Sequence, residues 1–373
     1  MQSYYLFLTY ALVRKNGSII EPTLLINKLN VHKSRVWYVK DPFPISVAST
    51  EFVPVILKTA NPKFIEYALK NTNITQYLIV NSNGATNSQK RVSPDVITGL
   101  KLQIPPQYEQ EVIANYLDAA TSKIDEAIAQ QQKMIELLDE RKQIIINNAV
   151  TKGLDPNIKM RPSGIDWIGD IPEHWEIKPL KYCARTNSGS TPRSISGKEN
   201  PMATIKWVRT TDLKNNHVCD TTEYLTHDEM KSASCPLLPK GTVLISMYGG
   251  EGSFGKLGML DVEATINQAL CSINCFDDIM PEFIFFYLQA IHPLWMRYAA
   301  STRKDPNLNQ DTIKNISVVL PPLNEQNLIV KKINLHISII DTVLSNVVKQ
   351  ISLLQERKQI IINNVVTGKV KVV

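Results

Sequence analysis

The chain has 373 residues, 43% hydrophobic and 20% charged, and carries a net charge of +6. That length accommodates two domains of ordinary size, each with its own core. No run of 18 apolar residues occurs, so no membrane segment is expected, and the five cysteines lack both the even spacing of a disulfide framework and the CxxC pairs of a zinc site.

The start, Met1 to Ala11, is apolar without a basic leader or a small-residue cleavage site, and a soluble, cytoplasmic protein is expected. Residues 1–104 hold 12 Lys and Arg against 5 Asp and Glu, as expected of a surface that neutralises phosphates. Leu25-Ile-Asn-Lys-Leu29 reads as a hairpin pattern. Lys28, Asn30, His32, Lys33, Arg35, Lys90 and Arg91 are the candidates for DNA contact here. Lys33-Ser34-Arg35, read as extended, places two cations on one face, which suits phosphate. Asn61 to Lys70 predicts a helix with Asn61 as N-cap and Pro62 in the first turn. Asn61-Pro62-Lys63-Phe64 superficially resembles the Asn-Pro-Pro-aromatic motif of adenine methyltransferases, but the second proline is missing and no cofactor-binding loop accompanies it.

Pro105-Pro106 then stops the chain, and residues from about 108 to 150 contain neither proline nor glycine. That predicts a helix roughly 60 Å long. Ile113, Leu117, Ala120, Ile124, Ile128, Ile135 and Leu138 recur at steps of three and four, with Gln131 the one polar member of the seam. This spacing is that of a coiled coil. Gly153 lies just past the end, where helix C-termini favour glycine.

Residues 151–320 are balanced, with 18 cationic and 19 anionic side chains, so any DNA face there comes from a one-sided arrangement. Gly241–Tyr248, Lys256–Leu260 and Ala269–Ile273 read as strands. Between the first two, Gly250-Glu-Gly252-Ser-Phe-Gly255 matches GxGxxG, but a strand follows where the dinucleotide fingerprint needs a helix. A glycine-rich hairpin tip, able to place Ser253 or Lys256 against DNA, is expected instead. Cys183, Cys219, Cys235, Cys271 and Cys275 read as core thiols, and Pro281 to Ala290 as a helix. Base reading needs polar and cationic side chains on strands or loops aimed into a groove. The candidates are Thr191, Arg193, Arg209, Thr211, Asp212, Lys214, Lys256, Arg303 and Lys304, with Trp207 expected as an anchor beside the Arg209–Lys214 loop. No phosphate loop or nuclease-like acid cluster occurs and the six histidines are scattered, so no catalytic residue, cofactor or metal is expected.

Pro321-Pro322 opens a second proline- and glycine-free stretch, 324–366, and Gly368 follows it. Its seam is Ile329, Ile333, Ile340, Leu344, Val347, Ile351 and Leu354, with His336 as the polar member. The stretch repeats the first one without gaps at an offset of 216: Glu140 to Asn148 returns letter for letter as Glu356 to Asn364. Each stripe is too long for one small domain, so the economical partner for each is the other copy, packed antiparallel. The unchanged Glu140, Arg141, Lys142 and Gln143, returning as Glu356, Arg357, Lys358 and Gln359, point to an external partner met twice; intramolecular coiled-coil packing alone, or recent duplication or local conversion, are the alternatives. Carried backwards, the same offset puts the equivalent of Trp175 some forty residues before Met1, so the first domain is expected to be truncated at its N-terminus.

Ser163-Gly-Ile-Asp-Trp-Ile-Gly-Asp-Ile-Pro-Glu-His-Trp175, Lys178-Pro-Leu-Lys-Tyr182, Gly189-Ser-Thr-Pro192 and both Pro-Pro-x-x-Glu-Gln turns closely resemble type I restriction-modification specificity (S) subunits, over nearly the whole chain. The resemblance implies an α+β fold: two target recognition domains of mixed β-sheet with helices, separated by two long antiparallel α-helices that form an intramolecular coiled coil with pseudo-twofold symmetry. Its divisions here are a first recognition domain (1–104), a spacer helix (105–152), a second recognition domain (153–320), and a spacer helix with tail (321–373). It further implies a non-catalytic subunit whose domains each read half of a bipartite site on double-stranded DNA. In that reading the helices set the spacer and dock two methyltransferase (M) subunits that modify adenine, and restriction (R) subunits join that core. The alternatives are a stand-alone coiled-coil DNA-binding regulator, an S subunit with one working recognition domain, and a fused methyltransferase fragment, which the missing catalytic motif disfavours.

Overall fold

Two helices of 46 and 44 residues, Gln107–Lys152 and Leu323–Val366, occupy the two stretches without proline or glycine. Each ends at a glycine in the left-handed region, Gly153 at φ +75° and Gly368 at φ +70°, which supplies the C-terminal turn without a Cβ clash. The structure is a computed structural model and describes residues 4–7, 9–10, 19, 21–43, 46–84, 86, 89–249, 252–299 and 306–372. The chain divides into two compact units, residues 1–135 with 345–373, and residues 136–344. The division cuts both long helices, so each unit holds the start of one and the end of the other.

In the first unit, strand β1 (Tyr4–Phe7) leads through β2 (Thr9–Tyr10), β3 (Thr23–Asn27), β4 (Val36–Val39) and β5 (Phe52–Ile56) to helices α1 (Pro62–Leu69), α2 (Thr72–Val80) and α3 (Pro94–Thr98), and then to β6 (Lys101–Ile104). Antiparallel strands in the order β2-β5-β3-β4 make one sheet, and β1 pairs with β6. The hairpin β3–β4 runs from Thr23 opposite Val39 to Ile26 opposite Val36. Asn61 caps α1 as expected, its side chain accepting from the N–H groups of Lys63 (3.0 Å) and Phe64 (3.1 Å). Leu24, Val53, Val55, Phe64, Ile65 and Ile97 form the core with Ile113 and Leu117 of the first long helix and Ile362 and Val365 of the second. Tyr67 ties α1 to the first long helix, donating to Asp118 (2.7 Å) beside Thr121 (3.0 Å), and burial raises its phenol well above the usual range.

The second unit carries the first long helix, α4 (Gln107–Lys152), into strands β7 (Met160–Pro162), β8 (Asp170–Pro172), β9 (Glu176–Pro179), β10 (Ala184–Ser188), β11 (Ile205–Val208), β12 (Asn216–Val218) and β13 (Glu223–Leu225). Helix α5 (His227–Ser232) precedes β14 (Val243–Ser246), β15 (Leu257–Leu260), β16 (Thr265–Ile266) and β17 (Leu270–Cys275). Helices α6 (Pro281–Ile291), α7 (Trp295–Tyr298) and α8 (Gln310–Lys314), strand β18 (Ser317–Leu320) and the second long helix, α9, complete it. A five-stranded sheet, β10-β17-β14-β15-β12, lies beside a three-stranded one, β13-β11-β16, and β18 pairs with β9. Helix α6 is apolar on nearly every side and packs into the core with Trp175, Ile146, Val150, Ile329 and Ile333. Cys183 and Cys271 are buried, and burial pushes their thiols up to about 11 and about 12. Cys219 departs from the expected core role and is exposed.

Both units repeat one construction. Gln110, 2% exposed, donates to the Pro105 carbonyl (2.8 Å) and accepts the Asn61 N–H (2.9 Å) at the cap of α1. Gln326, 1% exposed, donates to Pro321 (3.0 Å) and accepts the Met280 N–H (2.8 Å) at the start of α6. Each Pro-Pro-x-x-Glu-Gln turn therefore welds a long helix to the domain helix beside it, and each weld satisfies two backbone groups that would otherwise be buried unpaired. The long helices run antiparallel where they meet within each unit. Lys358 reaches Asp125 (2.6 Å) in the first, and Lys142 reaches Asp341 (2.9 Å) in the second. All the expected seam positions are buried or half-buried, and Gln131 Oε1 and His336 Nδ1 are buried without hydrogen-bond partners.

These contacts give part of the repeated surface block a role inside the fold. Besides the two lysines, Gln359 donates to the Lys70 carbonyl (2.8 Å) at the end of α1, and Gln143 to the Gln289 carbonyl (3.1 Å) in α6. Four of the eight residues assigned to a partner thus have an internal function, performed alike in each copy. The two domains also repeat one strand pairing. β6 pairs with β1 (Ile104 opposite Tyr4) as β18 pairs with β9 (Leu320 opposite Glu176), and Leu320 is the repeat equivalent of Ile104. A strand paired like β9 thus lies at Tyr4–Phe7, closer to its helix than the 216-residue offset requires. The offset holds through the helices and fails in the domains because their loops differ in length. Among the described residues α9 is, by length and composition, apolar enough to cross a membrane. Its apolar surplus is the seam, buried at Ile329, Ile333, Ile340 and Val347, together with exposed positions such as Leu335 and Ile339.

Candidate nucleic-acid interface

The candidates in the first unit converge although some sixty residues separate them. Leaving β3, the chain is paired by backbone bonds with residues 90–92: Asn30 N–H donates to Lys90 (2.8 Å) and Val92 N–H to Lys28 (3.0 Å). A single helical turn follows at Val31–Lys33, framed by Asn30 at φ +56° and Ser34 at φ +43°. Ser34 thus breaks the extended run expected for Lys33-Ser34-Arg35, so alternation does not place those two cations on one face. They remain neighbours on an exposed turn, with His32. Arg91 differs from the rest, because its guanidinium binds the Glu51 carboxylate (2.5 Å). Lys28, Lys33, Arg35 and Lys90 appear in no ion pair among the described residues.

In the second unit the Trp207 side chain ties down the 189–191 segment. It is 3% exposed, and its indole N–H donates to the Ser190 carbonyl (3.2 Å), holding the 189–191 segment against β11. Thr191 then hydrogen-bonds Gln268, and Asn267 N–H donates to Val208 (3.0 Å). Past β11 the chain makes one helical turn at Thr210–Asp212. Arg209 and Asp212 turn inward: Asp212 accepts the Arg209 N–H (2.8 Å), and the Arg209 guanidinium donates to Thr222 (2.7 Å) and lies 3.6 Å from Glu223. These two shape the loop and leave Thr211 and Lys214 exposed beside it.

The glycine-rich tip sits against the same turn, since a Cβ on Gly249 would lie 2.9 Å from Ser253 Cβ and 3.5 Å from Thr210 Oγ1. A strand, β15, follows the tip, as the strand reading required; Gly250 and Glu251 lie outside the described residues. Lys256 is half-buried at the base of the hairpin, and burial, helped by this cation, lowers the affinity of His292 for a proton. Arg193 is exposed just past Thr191. Arg303 and Lys304 lie outside the described residues. Gln268 and Thr210 join the cluster without having been singled out in the sequence, because strand pairing and hairpin closure, which no local pattern announces, bring them there. Among the described residues no group of three His, Cys, Asp or Glu side chains is arranged to hold a metal.

Three kinds of comparison bear on this arrangement. The family profile described as type I restriction modification DNA specificity domain matches residues 12–137 and 172–352. Among curated proteins, the putative type I restriction enzyme MjaX specificity subunit of Methanocaldococcus jannaschii is 26% identical over 83% of this chain and 68% of its own length. The EcoBI and EcoKI specificity subunits of Escherichia coli are 23% and 25% identical over 73% and 75% of this chain, and 58% and 59% of theirs. The fold matches a chain from a structure on complex assembly and conformational transition of the type I R-M system, with a TM-score of 0.71, 16% identity, and coverage of 94% of this chain and 83% of that one. It also matches the HsdS subunit of Thermoanaerobacter tengcongensis, with a TM-score of 0.50, 17% identity, and coverage of 96% and 84%.

Proposed function

Because the chain belongs to the type I restriction modification DNA specificity family, we propose that it is the DNA-reading and assembly subunit of a type I restriction-modification enzyme and performs no catalysis itself. Each recognition domain reads one half of a bipartite duplex target in the cytoplasm. The residues that touch DNA come from the two loop clusters: Lys28, Asn30, His32, Lys33, Arg35 and Lys90 in the first unit, and Thr191, Arg193, Thr211, Lys214 and Lys256 in the second. Lysine and arginine on exposed turns supply phosphate contacts that fix register, while Asn30, Thr191 and Thr211 offer hydrogen bonds to base edges. Arg91, Arg209 and Asp212 shape these loops from within.

The observation that carries this reading is the repetition of one domain-to-helix weld in both units, Gln110 with Asn61 and Gln326 with Met280. Two recognition surfaces fixed in the same way to a duplicated helix pair suit a target with two half-sites. The same duplication supports a methyltransferase partner met twice. Leu137, Glu140, Arg141 and Ile144 follow the i, i+3, i+4, i+7 spacing of one helical stripe and are all exposed, and Leu353, Glu356, Arg357 and Ile360 repeat them. Apolar residues flanking an acid–base pair form a docking stripe, and identical stripes bind two copies of one partner.

Co-expression with the methyltransferase subunit of its own system tests the reading. The complex is expected to methylate adenine only in duplexes that carry one bipartite sequence, and the chain alone to transfer no methyl group. A complex that methylates without sequence preference, or methyl transfer by the chain alone, contradicts it.

A further inference from the structure

Helix α2 (Thr72–Val80) contains no charged residue, although one side of it faces away from the core. Leu78 is buried, and Ile74 and Ile79 pack half-buried beside it. Asn73, Gln76, Tyr77 and Val80, at the i, i+3, i+4 and i+7 spacing of a single stripe, are all exposed, Tyr77 by 48% and Val80 by 79%. A helix that only meets water ordinarily carries charge on such a stripe, whereas a stripe without charge and with an aromatic ring has the composition of a contact surface. Among the described residues the side-chain amides of Asn73 and Gln76 appear in no hydrogen bond.

What α2 rests on sets the chemistry of its partner. The helix packs against the turn Val31–Lys33, and Ser34 Oγ is hydrogen-bonded to Thr75 Oγ1 (2.5 Å). That bond seats the exposed Lys33 and Arg35 beside the helix. The start of α2 is held as well, Thr72 N–H donating to Asn363 (3.0 Å) and the Asn363 amide to the Thr72 hydroxyl (2.7 Å). The second unit repeats the placement: α7 follows α6 as α2 follows α1, and it lies at the base of the glycine-rich tip, where a Cβ on Gly255 would stand 2.6 Å from Trp295 Cδ1. Its exposed side chains are different ones, Met296, Arg297 and Tyr298. The seat is repeated and the presented side chains are not, which suits two surfaces that read different half-sites.

We propose that α2 enters the major groove of the first half-site and reads base edges there. The inference rests on the DNA-reading function proposed above and names a reading element of the first unit. The nine residues of α2 span about 14 Å at 1.5 Å each, and the groove, about 12 Å wide, admits a helix. Asn73 and Gln76 each carry the donor and acceptor that match N6 and N7 of adenine, and Val80 offers apolar contact to a thymine methyl group. Lys33 and Arg35, on the turn beside the stripe, hold the phosphates that border those base edges. An uncharged stripe with cations next to it is complementary to a groove whose floor is neutral and whose rim is anionic.

The test uses the full chain in complex with its methyltransferase subunit and a pool of duplexes randomised across both half-sites, sequenced for methylated adenine. Gln76→Ala is expected to lower the preference for adenine at one position of one half-site about tenfold or more. Gln76→Glu, whose carboxylate only accepts, is expected to move that position toward cytosine, and Val80→Ala to weaken selection of thymine close by. Both positions are exposed, and an unchanged preference at the other half-site shows that each variant complex is intact. Unchanged base preference in all three variants, while alanine at Lys33 and Arg35 alters that half-site, overturns the inference and leaves the DNA reading standing. No change in either set overturns both. Failure of the Gln76 and Val80 variants to assemble with the methyltransferase subunit makes the stripe a protein contact and overturns the inference.

Discussion

Trp175→Ala is expected to destabilise the second unit by about 3–5 kcal/mol, the range for emptying a fully buried aromatic site. The indole lies in the largest core of the chain with Ile146, Val150 and Ile329, and it is one of two donors to Glu325. Its removal therefore leaves a cavity and a half-buried carboxylate missing a hydrogen bond. Trp175→Phe keeps most of the packing and loses only the N–H, so a smaller cost of about 1–2 kcal/mol is expected. Hydrogen exchange read peptide by peptide is the appropriate measurement, because a chain with two units need not unfold in one step. Protection is expected to fall across residues 170–180 and 317–333 and to be retained at residues 52–69. A loss below about 1 kcal/mol, or an equal loss in both units, contradicts the account.

The second large effect concerns charge. Lys28, Lys33, Arg35 and Lys90 are gathered by the backbone pairing of residues 28–30 with 90–92 and, among the described residues, appear in no ion pair. If they meet phosphates, each contributes about 0.9 to the slope of log affinity against log salt. Replacing all four by alanine is expected to flatten that slope by about 3–4 and to weaken DNA binding on the order of 10²–10³-fold at low salt. Arg91→Ala is expected to weaken binding less, since the guanidinium is already neutralised by Glu51. Titrations of duplex DNA at several salt concentrations distinguish these outcomes. An unchanged slope in the fourfold variant places the DNA surface elsewhere.

What was legible in the sequence is what repeats or follows a period. The long helices, their seams and their closing glycines came from the absence of proline and glycine and from steps of three and four. Asn61 and Pro281 announced their helices because capping chemistry is local. The roles of Lys142, Gln143, Lys358 and Gln359 were not legible, since their partners, Asp341, Gln289, Asp125 and Lys70, are far off in the chain. Four letters that look like a surface patch serve partly as internal fasteners. The loop clusters show the same limit. Composition marked the first domain as basic, yet whether a given arginine is free or spent inside depended on Glu51 for Arg91 and on Thr222 and Glu223 for Arg209. The offset of 216 was legible because the long helices match without gaps, and it does not carry into the domains, whose loops differ in length.

The most direct measurement is a genome-wide map of adenine methylation in cells expressing the unaltered chain, a first-unit variant with Lys33 and Arg35 replaced by alanine, or a second-unit variant with Thr211 and Lys214 replaced by alanine. A bipartite methylated sequence is predicted for the unaltered chain, with the first variant relaxing or losing one half of it and the second variant the other half. Variants that alter both halves alike, or a methylated sequence identical in all three cell lines, would contradict the assignment of one half-site to each unit.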